Sequence, residues 1–546
     1  MARNEREKKK VTILLSRFST LMTQRRVWEG HWQEIADYMV PRKADITRKR
    51  TDGDKRTEKI FDGTAIHAAE LLTASLHGML TSASMPWFSL RFTDPMLDGD
   101  DLAKEWLEGA EKVMYDAFAR SNFQEQVHEL YSDLVAFGTA VMFVDQDDLT
   151  QLRFSTRHIA ECYLAEDEHG RVDTVVRRYK MSLRDARSMW GKDIGPALVP
   201  RAKDNPYEMV DFLHVVQPRD NYDSGIKDNL NMPWMSCHID PENKWLIAES
   251  GFDEFPYVCP RFLKASFEQG YGRSPAMTAL PDTKMLQEMS KTTIKSAQKQ
   301  VDPPLLVPDD GFVLPVRVTP GGLNFYRSGT RDRIEPLMTG ANTPLGLNIE
   351  NQRREAIRQA FFVDQLMLRE SPNMTATEVI ARNEEKMRLL GPVLGRLQAE
   401  MLQPMINRSF NLLAKQRIFE PAPEYIQTGN IDIEYVSPLA KAQRQGELNS
   451  TLRMFEILNP LAQLDPSIFD FIDMDGLVKF VTRTVGVPAS VLRAEGEVMA
   501  MREERAAAQE QQAQLDQASQ VADAAGAAAP ALKAVGGMAD MGGAAQ

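Results

Sequence analysis

Cysteine is scarce in this chain: Cys162, Cys237 and Cys259 are the three among 546 residues. Their odd number and the lack of any C-x-x-C spacing exclude a disulfide framework and a zinc site, and a reducing environment is expected. No run of about 18 apolar residues exists to cross a bilayer. The opening Met1-Ala2-Arg3-Asn4-Glu5 carries charge but lacks the apolar core of a secretion signal, so a soluble, intracellular product without a membrane partner is expected. The phosphate loop G-x-x-x-x-G-K-[ST] is missing, as are H-E-x-x-H, G-x-S-x-G and any metal-spaced His/Cys group. Cys237-His238 reads as a structural pair of neighbours pointing different ways. Asp147-Asp148 and Asp309-Asp310 read as turns, and so do Gly270-Tyr271-Gly272 and Gly321-Gly322. No cofactor, no metal and no enzymatic activity are expected.

What is present is the composition of a folded protein with several cores, 43% hydrophobic and 26% charged. The net charge of −12 argues against electrostatic coating of nucleic acid, so contact with DNA must be local or weak. The charge is also segregated: residues 1–59 hold 16 basic and 9 acidic side chains. In this stretch Leu14, Phe18, Leu21, Trp28, Trp32, Ile35 and Met39 step by 3, 4 or 7, which predicts a long amphipathic helix closed by Pro41. The run Arg48-Lys49-Arg50 with Lys55 and Arg56 reads as a solvated loop.

Further elements follow from period and punctuation. Apolar helices are expected at about 61–80 and 102–136, then a buried strand over Gly138–Val144, then a mixed α+β stretch to about 262. Ser274 is a helix N-cap with Pro275 at the first position, and the helix runs to Gln300 before Asp302-Pro303-Pro304; Pro281 should kink or restart it. Lys284, Lys291, Lys295 and Lys299 step by 7, 4 and 4 along one side of this rod, a basic stripe that spacing alone does not distinguish from a solvated face. Residues 301–343 are a proline-rich extended excursion. A second helix over 345–361 has Ile349, Ala356, Ile357 and Ala360 on one side and Arg353, Arg354 and Arg358 mostly on another, and the two rods are expected to pair antiparallel. A loop over Phe362–Asn373 carries Gln365, Met367 and Arg369. A capping box of Thr375 with Glu378 then opens a long helix to about Gln416, bent at Gly391-Pro392 and at Pro404. The Ala/Gln/Gly-rich end can be helical over 492–520 and is too poor in large apolar residues to fold beyond that.

Several stretches taken in order resemble the head-to-tail connector, or portal, proteins of short-tailed bacteriophages. They are Ile60-Phe61-Asp62-Gly63-Thr64-Ala65, Pro86-Trp87-Phe88, Ser121-Asn122-Phe123, Phe137-Gly138-Thr139-Ala140 and Gly270-Tyr271-Gly272-Arg273-Ser274-Pro275. To these are added Met374-Thr375-Ala376-Thr377-Glu378, Leu390-Gly391-Pro392, Glu400-Met401-Leu402-Gln403-Pro404, Ser437-Pro438-Leu439-Ala440 and Gly486-Val487-Pro488, and the resemblance spans about 10–500. It implies a mainly α fold with α+β parts, assembled as a homo-oligomeric ring of twelve subunits around a channel for double-stranded DNA. The ring would sit at one capsid vertex of the virion, assembled in the host bacterial cytoplasm. It would contact the terminase large subunit, then tail adaptor and nozzle proteins, and the major capsid and scaffolding proteins.

The resemblance also names the parts: wing 1–270, stem helices 271–300 and 344–361, clip 301–343, tunnel loop 362–374, long kinked wing helix with its following segment 375–436, crown 437–500 and a C-terminal tail 501–546. On that reading Lys284, Lys291, Lys295, Lys299 and Arg358 are candidates to face the lumen, with Gln365 or Arg369 at the constriction. An acidic ring suits a sliding duplex, because each neutralised phosphate adds affinity that would stall it. An internal virion or scaffolding protein, or a packaging ATPase or nuclease, remains the alternative at this point, the last opposed by the missing phosphate loop.

Overall fold

The computed structural model describes residues 2–306 apart from breaks at 49–50, 52, 93–96, 98–99, 224, 227 and 269. Beyond that it describes 325, 335–336, 343–366, 390–422, 431–434 and parts of 448–512. The chain forms two compact units, one of residues 1–91, 108–422 and 431–443 and one of 92–107, 423–430 and 444–546. The second is helical over 101–107, 450–458 and 498–509. The crown and tail expected at 437–546 lie mostly outside the described residues.

The N-terminal spacing produces one helix, α1 (Ala2–Met39), 38 residues long. Leu14, Phe18 and Leu21 are buried on it, Trp32, Ile35 and Met39 almost completely so, while Trp28 is half-buried. Helices α2 (Thr64–Leu80), α3 (Asp101–Arg120) and α4 (Phe123–Phe137) follow, with β1 (Ser89–Phe92) between α2 and α3. The stretch expected to be helical over 102–136 is therefore two helices. The break is fixed by Asn122, whose side chain donates to the Phe154 carbonyl at 2.8 Å and accepts its N–H at 3.0 Å, as a strand neighbour would. Trp87, Phe88, Phe118, Phe123 and Phe154 form a continuous aromatic core beside it.

The strand expected from Gly138 starts later. Gly138 is the left-handed cap of α4 at φ +75°, a conformation that costs glycine little, so β2 is Val141–Asp147. It pairs with β3 (Gln151–Arg157) and β9 (Tyr257–Val258) in a three-stranded sheet. The larger sheet has five antiparallel strands in chain order, β4 (Cys162–Glu166), β5 (Val172–Ser182), β6 (Met209–Pro218), β7 (Trp234–Asp240) and β8 (Trp245–Phe252).

Strand alternation sends Leu213, Val215, Met235, Cys237 and Ile239 to one face, where they pack with Val11, Leu14, Phe18 and Leu21 of α1. The other face is divided. Short helices α5 (Leu183–Trp190) and α6 (Leu198–Asp204) cover Tyr179, Val210 and Phe212, whereas Phe143 and Tyr257 of the smaller sheet cover His214. Each fully buried side chain here is worth about 1.5–3 kcal/mol. Cys237 and His238 do point to opposite faces. His214 stacks on His238 with ring centroids 4.3 Å apart and planes at 5°. Both nitrogens of His214 meet hydroxyls, Tyr257 at 3.0 Å and Ser236 at 2.9 Å. Burial holds His214 well below its ordinary value and takes His238 to about 4, so both rings are neutral.

Candidate functional site

The stem candidate begins at a junction of backbones. Helix α7 (Pro275–Val301) has Ser274 as its N-cap, whose hydroxyl accepts the Met277 N–H at 3.0 Å and donates to the Ala136 carbonyl at 2.8 Å. Two stretches that stand 133 to 138 residues apart in the chain meet here. A Cβ on Gly272 would lie 2.6 Å from the Gly138 carbonyl oxygen, and one on Gly138 would lie 2.5 Å from that of Gly272. The Gly272 N–H donates to the Thr139 hydroxyl at 2.7 Å. Tyr271 fixes the same corner: its buried ring lies edge-on to Trp32 at 5.1 Å, and its hydroxyl accepts the Leu164 N–H at 3.2 Å. These glycines are close-approach residues as much as turn residues.

Helix α7 runs unbroken through Pro281 for 27 residues, about 40 Å, rather than restarting there. Helix α8 (Thr343–Ala360) lies antiparallel to it: Arg353 pairs with Asp282 at 2.8 Å, while Glu350, earlier in α8, accepts from Thr293, later in α7, at 2.6 Å. Beneath the pair Gln287, 2% exposed, accepts the N–H groups of Phe61 and Asp62 at 2.6 and 2.9 Å and donates to the Asp62 carbonyl at 2.7 Å. Asp62 binds Arg354 at 2.9 Å, and Arg354 binds Glu350 at 3.0 Å. Burial pushes the Asp62 carboxyl up, but hydrogen bonds from Thr64 and Arg354 outweigh it and hold the group below its ordinary range. The Asp62-Gly63-Thr64 start of α2 was legible as a motif; its partner Gln287 was not.

The far end of the pair is different. After Asp302-Pro303-Pro304, β10 (Leu305–Leu306) pairs antiparallel with β11 (Glu335–Pro336) and closes the neck of the excursion. Apart from Phe325, the rest of 307–334 lies outside the described residues. On α8 Glu350 and Ile357 are buried, with Ala356 and Ala360 half-buried and Ile349 36% exposed. The expected apolar side is thus rotated at its beginning, where Glu350 turns in to meet Thr293. Met285, Ile294, Val301 and Leu347 are exposed on the two rods.

The candidate cations divide by whether they have a partner. Lys284 pairs with Glu34 of α1 at 3.1 Å. Lys291 lies 3.7 Å from Glu288 and 5.7 Å from the centre of the Phe61 ring. Lys295, Lys299 and Arg358 are exposed and form no ion pair among the described residues. Gln365 belongs to the short helix α9 (Val363–Leu366); Arg369, Thr375 and Glu378 lie outside the described residues. Gly391 and Pro392 stand within a helix over 390–397. Just before Pro404 the helix widens into a π-turn, Gln398–Leu402, and continues as α10 (Gln403–Lys415). Glu400 in that turn holds Arg261, a partnership that sequence alone did not signal.

Among the described residues no His, Cys, Asp and Glu side chains group in threes as metal ligands, and no helix is long and apolar enough to cross a membrane. The site offers two paired rods that carry exposed apolar side chains and, among the described residues, three cations without an ion pair. Comparison with known sequences adds its own findings. The family described as Bacteriophage head to tail connecting protein matches residues 12–492. The "Probable portal protein" of Bordetella phage BPP-1 is 31% identical over 514 residues, 91% of each chain. The "Portal protein" of Salmonella phage epsilon15 is 32% identical over 93% of this chain and 92% of its own length. That of Enterobacteria phage T3 is 22% identical over 71% of this chain and 72% of its own.

Proposed function

The chain belongs to the bacteriophage head to tail connecting protein family, whose members are structural rather than enzymatic, and from that premise we propose that it forms a closed ring, of twelve copies, at one capsid vertex. The ring's bore passes double-stranded DNA during packaging and ejection. The terminase motor docks on the clip side first, and tail adaptors follow. The observation that carries this reading is the family match along nearly the whole chain, joined to an antiparallel rod pair anchored where α7 begins. Met285, Ile294, Val301 and Leu347, exposed at 50%, 45%, 87% and 44%, give the rods apolar surface for neighbouring copies. Lys295, Lys299 and Arg358 supply point charges that centre a duplex without the tight binding a larger basic surface would give, and Gln365 and Arg369 are assigned to the constriction that follows.

Negative-stain images of the purified protein test the assembly: rings with a central hole are expected, and rods, solid particles or persistent monomers would overturn it. The lumen assignment is tested separately. Alanine at Lys295, Lys299 and Arg358 should change the salt dependence of packaging or ejection; unchanged behaviour at every ionic strength would remove these residues from the bore and leave the ring standing.

A further inference from the structure

A π-turn lies in the middle of the long helix that runs from residue 390 to Lys415. Gln403 donates its N–H to the Gln398 carbonyl, five residues back, so the turn holds one residue more than an α-helical turn does. Pro404 favours this arrangement, because in α register it would present no N–H to the Glu400 carbonyl and its ring would collide with it. Glu400, inside the turn, has both carboxylate oxygens engaged. Oε2 accepts the Arg261 backbone N–H and Nε, both at 3.0 Å, and Oε1 accepts an Arg261 Nη at 2.8 Å and an Arg396 Nη at 3.2 Å. Arg261 is 2% exposed, and it also reaches Glu166 and the Gly170 carbonyl. Glu166 is in turn held by Lys264 at 2.7 Å.

The two arms of the helix are held differently. Beyond the turn, Asn411 binds Glu254, Lys415 binds Asp253, and Gln416 donates to the Gln151 carbonyl at 3.0 Å. Met405, Ile406, Leu412 and Leu413 are buried there. The arm before the turn is held by Leu390, Val393 and Leu397, and among the described residues its ionic tie to the sheets is made through Glu400.

We propose that the Glu400–Arg261 clamp and Pro404 together lock the register of this helix, and that opening the clamp lets the π-turn collapse to α-helix while α10 stays docked. Loss of the surplus residue moves the whole preceding arm by one position, about 100° of rotation and 1.5 Å of rise. The places of Leu390, Val393 and Leu397 pass to Gly391, Leu394 and Gln398. Leu394 is already half-buried, so one of the three places keeps an apolar occupant and the other two do not. The clamp therefore selects between two discrete arm positions, and the apolar loss keeps the shifted one minor while the clamp is closed. This device stands whether or not the chain closes into a ring.

Spin labels at the exposed positions Gly395 and Asn407, one in each arm, report the register by their separation, measured on labelled full-length chain diluted with unlabelled chain. The native protein should give one distance. Glu400→Gln, which keeps the side-chain shape, should give a second, shifted distance, and Glu400→Gln with Pro404→Ala should make the shifted distance the major one. Amide exchange over 398–403 should rise at least tenfold in Glu400→Gln. A single unchanged distance in the double variant, in protein whose melting stays cooperative, would overturn the proposal. If the double variant fails to fold, Pro404→Ala alone decides: a second distance supports the lock, and its absence rejects it.

Discussion

The two ends of α7 are built by opposite rules. At its start, Gly272 and Gly138 touch backbone to backbone, Ser274 caps the helix, and Gln287 is enclosed by the chain at Phe61 and Asp62. At its end, Lys295, Lys299 and Val301 are exposed. The same helical period covers both ends, so period alone does not separate an anchor from a free surface; the difference comes from what packs against each turn. Substitutions at the anchored end should be costly in stability, and those at the free end should be cheap in stability and visible only in function.

The sharpest way to break this contrast is Gly272→Ala. Its methyl would sit 2.6 Å from the Gly138 carbonyl oxygen and 2.7 Å from that of Leu263, with no flexible side chain to yield, so a loss of about 3–5 kcal/mol is expected, seen as a large fall in the thermal midpoint or no soluble protein. Ordinary stability would mean that the junction is loose. Next in size is Gln287→Ala, which leaves two N–H groups and one carbonyl of residues 61–62 without partners. About 2–4 kcal/mol should be lost in denaturant unfolding, and Gln287→Leu should not recover it.

A proton should also distinguish the two regions. His214 and His238 are neutral in the fold and titrate below the ordinary 6.5, His238 at about 4. A depressed folded value means stability that is complete above 6.5 and is lost as pH falls toward 4. Arg157 and Arg177 face the pair, Glu161 is occupied with Arg177 at 2.8 Å, and Tyr179, Tyr257 and Ser236 beside it are neutral, so among the described residues no unengaged carboxylate faces the new charge. Amide exchange in β6 and β7 should accelerate across that interval while 291–301 shows no matching change; His214→Gln should flatten the response.

A smaller effect of opposite sign is expected at Glu111, whose carboxyl burial raises to about 7. A raised folded value gives stability present below 4.5 and lost as pH rises through 7, so Glu111→Gln should be more stable than the native protein at pH 8 by about 1–3 kcal/mol and indistinguishable at pH 4.5. The smallest stability effect belongs to Lys295→Ala with Lys299→Ala: within about 0.5 kcal/mol of native, with the salt dependence of DNA passage as the property that moves.

Much of the architecture was readable in one dimension because it depends on local periodicity. α1, α2, the N-cap at Ser274, the antiparallel rods and the mixed α+β character follow from spacing, Pro positions and capping chemistry. What periodicity did not reveal shares one cause, a distant partner. Asn122 splits a helix because Phe154 offers it a strand edge; Ile349 is exposed because Glu350 turns toward Thr293; Pro404 makes a π-turn in which Glu400 meets Arg261. The partners stand 32, 57 and 139 residues from the positions they decide.

By itself the sequence determined which segments are helical, where they begin, that the chain carries no nucleotide loop or metal spacing, and the family to which it belongs, since these rest on residue type and order. Only the tertiary structure decided which lysines of one stripe are engaged and which are exposed, which glycines are irreplaceable, and where a buried arginine finds its carboxylate. Those outcomes depend on desolvation and close contact between segments far apart in the chain, and periodicity carries no information about what will be opposite.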